Sequence, residues 1–70
     1  MFNPSEFELY YDGGWFRNYA GPRGIAELTQ NEKNPKMWSV CVLRDGYKAR
    51  TLATRTTLEK AERLARGAIG

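Results

Sequence analysis

The sequence predicts a single α+β domain, a small antiparallel β-sheet of about three strands packed against one C-terminal α-helix. Three stretches carry this reading. MWSVCVLR and YKARTLA are extended runs separated by Asp45-Gly46. TLEKAERLARG, which follows them, has the apolar spacing of a helix. Ahead of both, FELYYDGGWFRNY gathers the rings: seven of the nine aromatics fall in the first nineteen residues, namely Phe2, Phe7, Tyr10, Tyr11, Trp15, Phe16 and Tyr19. The chain therefore divides into an aromatic N-terminal segment over 1–22, a β-hairpin over 37–53 and a helix over 57–66.

The N-terminal segment admits two readings. Asn3-Pro4-Ser5-Glu6 has the cap, proline and acidic residue of a helix start. Phe7, Leu9 and Tyr11 alternate as a strand does, and β-favouring rings support an extended segment over 7–11, ended by Asp12-Gly13-Gly14. The connection that follows holds Gly21, Pro22 and Gly24 at one end and Asn34-Pro35 at the other. Residues 25–30 suit either a helical turn or a strand, with Ile25 and Leu28 as its anchors to the core.

In the hairpin, Asp45-Gly46 fits a two-residue type I′ turn, since both residues tolerate positive φ. That turn pairs Arg44 with Tyr47, Val42 with Ala49, Val40 with Thr51 and Trp38 with Ala53 on the core face. The outer face then holds Ser39, Cys41 and Leu43 opposite Leu52, Arg50 and Lys48, and is basic. For the helix, Thr56 with Glu59 reads as a capping box and Gly67 as the terminator. Leu58, Ala61, Leu64, Ala65 and Ala68 make the buried stripe, with Glu59–Arg63 and Glu62–Arg66 pairs on the wet side.

Composition narrows the function. A chain of 70 residues buries only about 60% of the surface its unfolded form exposes. One cysteine and no histidine exclude an internal disulfide and a histidine-assisted zinc site. Cys41 sits in an apolar run and reads as a small packed side chain. No basic n-region precedes an apolar one at the start, and no stretch reaches the roughly 18 apolar residues of a membrane span. The expectation is an intracellular, cytoplasmic, monomeric protein with no membrane association. The net charge of +3 is uneven, because residues 1–12 carry Glu6, Glu8 and Asp12 and no base, whereas all eleven Lys and Arg lie in the remainder. A basic body invites an acidic partner, either nucleic acid or protein.

The sequence holds no His for acid–base work, no nucleophile–base pairing and no glycine-rich phosphate loop. It is read as non-enzymatic, with no cofactor. Tyr, Trp, Phe and Arg carry most of the energy in protein interfaces. Phe7, Tyr10, Trp15, Arg17, Tyr19 and Arg23 are therefore the candidate protein-binding residues, with Leu9, Tyr11 and Phe16 assigned to packing. Glu6, Glu8 and Asp12 in the same stretch repel a phosphate backbone and favour a protein surface over nucleic-acid bases.

The order of a Trp-led strand, a DG turn, a second strand and a helix beginning Thr-Leu-Glu-Lys-Ala-Glu resembles AP2-type and phage-integrase arm-binding domains. The resemblance spans residues 23–66, on Trp38, Asp45-Gly46, Thr54 and Leu58 to Ala61. It implies a three-stranded sheet laid in a DNA groove, with Arg44, Lys48, Arg50 and Arg55, alongside Arg23, as nucleic-acid contacts. The region of the first strand departs from that pattern, being poor in basic residues and without clear alternation. In size, one-domain plan and interaction-rich N-terminus, the chain is also similar to small bacteriophage-encoded regulators that bind host RNA polymerase. That resemblance implies docking on a large polymerase subunit in the bacterial cytoplasm and inhibition or redirection of sigma-dependent transcription. An inhibitor of another host protein complex is the remaining alternative.

Overall fold

The computed structural model describes residues 5–44, 46 and 48–70. Five strands, β1 (Glu8–Asp12), β2 (Phe16–Gly21), β3 (Gly24–Gln30), β4 (Trp38–Arg44) and β5 (Arg50–Thr56), precede one helix, α1 (Leu58–Ile69). The strands form an antiparallel meander in the order β1-β2-β3-β4-β5. α1 lies across one face of it, over β2 to β5, without reaching β1.

The α+β plan is as expected, but the sheet has five strands rather than about three. The additional pair is the β2–β3 hairpin, whose two-residue turn is Pro22-Arg23. Proline presets the backbone for the first turn position. Gly21 and Gly24, which interrupt the apolar pattern, flank that turn because backbone passes too close for a side chain. A Cβ at Gly21 would collide with the Ile69 carbonyl oxygen, and one at Gly24 with that of Leu43. Ile25 and Leu28 do not anchor β3 together. Three positions apart on a strand, they face opposite sides, so Leu28 is fully buried while Ile25 is 39% exposed. The Asn-rich loop before β4 folds on itself, with Asn31 Oδ1 accepting from the Lys33 and Asn34 amides.

The β4–β5 register differs from that of a two-residue loop. Val42 faces Arg50, Val40 faces Ala53 and Trp38 faces Thr56, with irregularities on either side of Val40. The pairings of Val42 with Ala49, Val40 with Thr51 and Trp38 with Ala53 are thereby replaced. Shifting a strand by one residue exchanges its faces, so Arg50 lies on the helix side and Thr51 takes its place opposite Cys41. The predicted turn type and the Arg44–Tyr47 pair involve Asp45 and Tyr47, outside the described residues. The alternative helix start at Asn3-Pro4 lies outside them as well.

α1 begins one residue later than the capping box implies: Thr57 is the N-cap, its Oγ1 accepting from the Lys60 amide at 3.2 Å, while Thr56 is buried at the end of β5. It continues through Gly67 to a C-cap at Gly70. A helical glycine costs about 1 kcal/mol relative to alanine. The last turn buries Ile69 completely, a gain of about 1.5–3 kcal/mol, and burial wins. The core joins Ala61, Ala65 and Ile69 to Tyr19, Ala26, Leu28, Trp38, Val40 and Val42, with Leu58, Leu64 and Ala68 at its margin. Alanines at the contact let the helix approach the sheet closely. The Arg23 amide then ties the Ile69 carbonyl to the β2–β3 turn at 3.1 Å.

Two glycines should therefore respond oppositely to alanine. Gly21→Ala pushes a Cβ into the Ile69 carbonyl and is expected to cost at least about 1–3 kcal/mol. Gly67→Ala meets nothing within 4 Å and is expected to stabilise by about 0.5–1 kcal/mol. Urea denaturation of the two variants checks both signs.

Candidate interaction surface

Among the described residues the sheet has two faces and one helix, and the pairing registers identify which side chains point away from that helix, Ala20 among them although it is fully buried. Three cross-strand rows lie on the side away from α1: Glu8–Ala20–Ile25–Leu43, Tyr11–Asn18–Glu27–Cys41–Thr51, and Phe16–Thr29–Ser39. A bulge between Leu9 and Tyr11 re-aims the edge strand. Tyr10 accordingly joins Asn18, Ile25, Glu27, Cys41 and Leu43 around a shallow hollow of about 230 Å³.

The β1–β2 turn presents the largest ring. The Gly14 amide donates to Asp12 Oδ1 at 2.9 Å, and the Gly13 amide donates to the Phe16 carbonyl at 2.8 Å. Gly14 supplies the positive φ of 86° that the turn requires. The Trp15 carbonyl accepts from the Gln30 amide at 2.7 Å, which fastens the backbone to β3, while the side chain is 60% exposed. Its ring lies 4.6 Å from Phe16, and Phe16 lies 5.3 Å from Tyr11. The result is a supported aromatic row, Tyr11–Phe16–Trp15, standing beside the Tyr10 hollow. These rows carry the carboxylates of Glu8 and Glu27 and no Lys or Arg.

The sequence-predicted protein-binding residues divide. Tyr10 and Trp15 are on or beside the uncovered face, and Arg23 is exposed at the β2–β3 turn. Tyr19 is instead core, at 3% exposure. Phe7 is half-buried and stacks on it at 5.1 Å between ring centroids. Arg17 is on the helix side, 5.6 Å over the Trp38 ring, with Nε 3.4 Å from Asp12 Oδ1 in a contact that lacks hydrogen-bond alignment. Conversely, Leu9 and Tyr11, assigned to packing, are 44% and 50% exposed. Leu9 is exposed because it points to the helix side where α1 stops short of β1, and Tyr11 because it points to the opposite, uncovered face. Tyr11, Phe16 and Ile25 were missed as residues of this face, whereas Cys41 and Leu43 stand on the outer side of β4 that the sequence assigned them. The alternation of Ser39, Cys41 and Leu43 between Trp38, Val40 and Val42 is the signal that placed them.

The nucleic-acid set also divides. Arg44, Lys48 and Arg50 line one cleft with Val42, Leu52 and Ala68. Arg55 lines another with Asn31, Lys33, Asn34 and Met37. Five residues along an extended strand separate Arg50 from Arg55 by about 16 Å. Arg44, Lys48 and Arg50 are not on the cross-strand rows of the uncovered face, so the β4–β5 register moves to the helix side the Lys48 and Arg50 that were expected to make the outer face of the hairpin basic.

On the covered side, the Tyr19 hydroxyl donates to Glu62 Oε2 at 2.5 Å, and Arg66 lies 4.8 Å over the Phe7 ring. Glu62 and Arg66 thus pin the sheet rather than pairing with each other, whereas Glu59 and Arg63 do pair, at 3.2 Å. Burial and the bond to Glu62, against an opposing effect of Arg17, push the Tyr19 phenol up to about 12. Tyr19 is accordingly a protonated strut at neutral pH. Among the described residues, no group of three or more His, Cys, Asp or Glu side chains is placed to hold a metal ion, and no helix is long and apolar enough to cross a membrane. Comparison with protein-family models, curated proteins and solved structures returned no match.

The Tyr19 shift predicts alkaline instability. The folded state holds the phenolic proton more tightly than the unfolded chain, so this contribution is complete below pH 10 and is lost between pH 10 and about 12. At about 1.4 kcal/mol per pKa unit the loss is about 2–3 kcal/mol. Ultraviolet titration should show one tyrosine ionising near 12, and that step should be missing in Tyr19→Phe.

Proposed function

We propose that this protein is a non-enzymatic regulator that acts by docking its uncovered sheet face on another protein. The carrying observation is the supported row of Tyr11, Phe16 and Trp15 beside the Tyr10 hollow. Rigid rings lose little conformational entropy on binding and supply large contact area. Glu8 and Glu27 on the same face favour an apolar target with basic groups at its rim. Stacking on nucleic-acid bases would bring phosphates against these carboxylates, and the rows offer no cation to offset the repulsion. The same charge pattern argues against the groove-binding mode of AP2-type and integrase-arm domains.

The partner implied by the resemblance to phage-encoded regulators is bacterial RNA polymerase. Occupying a surface that sigma factor or promoter complexes need would inhibit or redirect transcription, with no bond made or broken in any substrate. An inhibitor of a different host complex would use the same surface, and identification of the captured protein separates the two.

Capture from nuclease-treated bacterial lysate tests this reading. The wild-type protein should retain polymerase subunits. Tyr10→Ala with Trp15→Ala should reduce retention at least about tenfold, the effect of one lost hot-spot contact, and leave the circular-dichroism spectrum unchanged. Equal retention by the variant, or retention abolished by nuclease, would contradict it. Arg17 is unsuitable for this test, because its contacts with Trp38 and Asp12 make it part of the fold.

A further inference from the structure

The molecule's concentration of positive charge lies at the opposite corner from the aromatic row, on the side of the sheet that α1 covers. Val42 and Arg50 are register partners. Arg44 and Leu52, each two residues further along its strand, point to the same side. α1 closes this corner with Ala68, whose methyl leaves open a cleft of about 280 Å³ lined by Val42, Arg44, Lys48, Arg50, Leu52 and Ala68. Three cations thus surround an apolar floor, and among the described residues no carboxylate lines it. Two of the helix carbonyls at this end are already engaged, that of Ile69 by the Arg23 amide and that of Arg66 by the Gly70 amide.

We propose that this cleft binds a nucleotide unit of a single-stranded nucleic acid, with sugar and base over Val42, Leu52 and Ala68 and phosphates held by Arg44, Lys48 and Arg50. Guanidinium groups match phosphate oxygens in a two-pronged fork. A nucleic-acid strand brings a phosphate together with a flat base at each residue, whereas an acidic peptide brings its carboxylates without a flat companion for the floor. The cleft and the aromatic row are on opposite faces of the sheet, so a strand and a protein partner can be held at once. Arg55 belongs to a different cleft and takes no part.

Fluorescence anisotropy with labelled oligothymidylate tests the proposal, with unlabelled thymidine 5′-monophosphate, inorganic phosphate and polyglutamate as competitors. With three phosphate contacts, the logarithm of affinity should fall with the logarithm of salt at a slope of about −2, and Lys48→Glu with Arg50→Glu should bring it to about −0.7 or abolish binding. Ala68→Leu, which fills the cleft and leaves the charge unchanged, should weaken binding without altering the slope. Competition should follow the order oligothymidylate, then mononucleotide, with polyglutamate weakest. Polyglutamate competing as well as the oligonucleotide, mononucleotide matching it, or no binding by the wild-type protein at low salt would each overturn the proposal. The wild-type measurements decide this even if a variant fails to fold.

Discussion

One helix of twelve residues must stabilise a sheet of five strands, and everything else in the molecule is arranged around that constraint. The apolar stripe of Ala61, Ala65 and Ile69 seals against Leu28, Val40 and their neighbours. It can do so only because small side chains let the backbones approach. Gly21 gives way to the helix C-terminus, and Gly24 gives way to β4. The clamp extends outward through polar and aromatic contacts: Glu62 takes the Tyr19 hydroxyl, Phe7 stacks on Tyr19, and Arg66 covers Phe7. A small domain with no disulfide cannot spare these contacts, which is why side chains that look suited to binding were used for folding.

A helix packed on one side leaves the other side of the sheet bare. Sheets open on one face usually present polar residues there. This one presents Tyr10, Tyr11, Phe16, Ile25 and Leu43, with Trp15 fixed at its rim by a backbone bond to Gln30. The two sides also differ in charge, with carboxylates among the uncovered rings and a cluster of cations at the covered corner. That polarity gives the two sides of one small scaffold different chemistry, rings and carboxylates on one and cations on the other.

The helix and β4 were legible because each has a clean period: Ala61 and Ala65 repeat at helical spacing, and Trp38, Val40 and Val42 alternate. Strands β2 and β3 were obscured by Gly21 and Gly24, which mark close backbone approach but read as breaks in a pattern. The helix end was misplaced because Gly67 is a common terminator, and only the burial of Ile69 shows why the chain continues past it. The β4–β5 register depends on irregularities around Val40 that no local motif announces, and that register decides which face receives Arg50. The aromatic segment was legible as a concentration of rings but not as a division between core and surface. Whether Tyr19 or Tyr11 is buried depends on which face of the sheet α1 covers, and whether Leu9 is buried depends on how far α1 reaches, both tertiary facts.

Cys41 stands at the middle of the uncovered face and is the only cysteine in the chain, so thiol labelling reports directly on whether that face is used. In the free protein a maleimide reagent should modify Cys41 under native conditions, and prior modification with a bulky maleimide should prevent capture of the protein partner. Binding of that partner should in turn protect the thiol. A captured partner that leaves Cys41 labelling unchanged, and that still binds the modified protein, would place the interaction elsewhere and contradict the account.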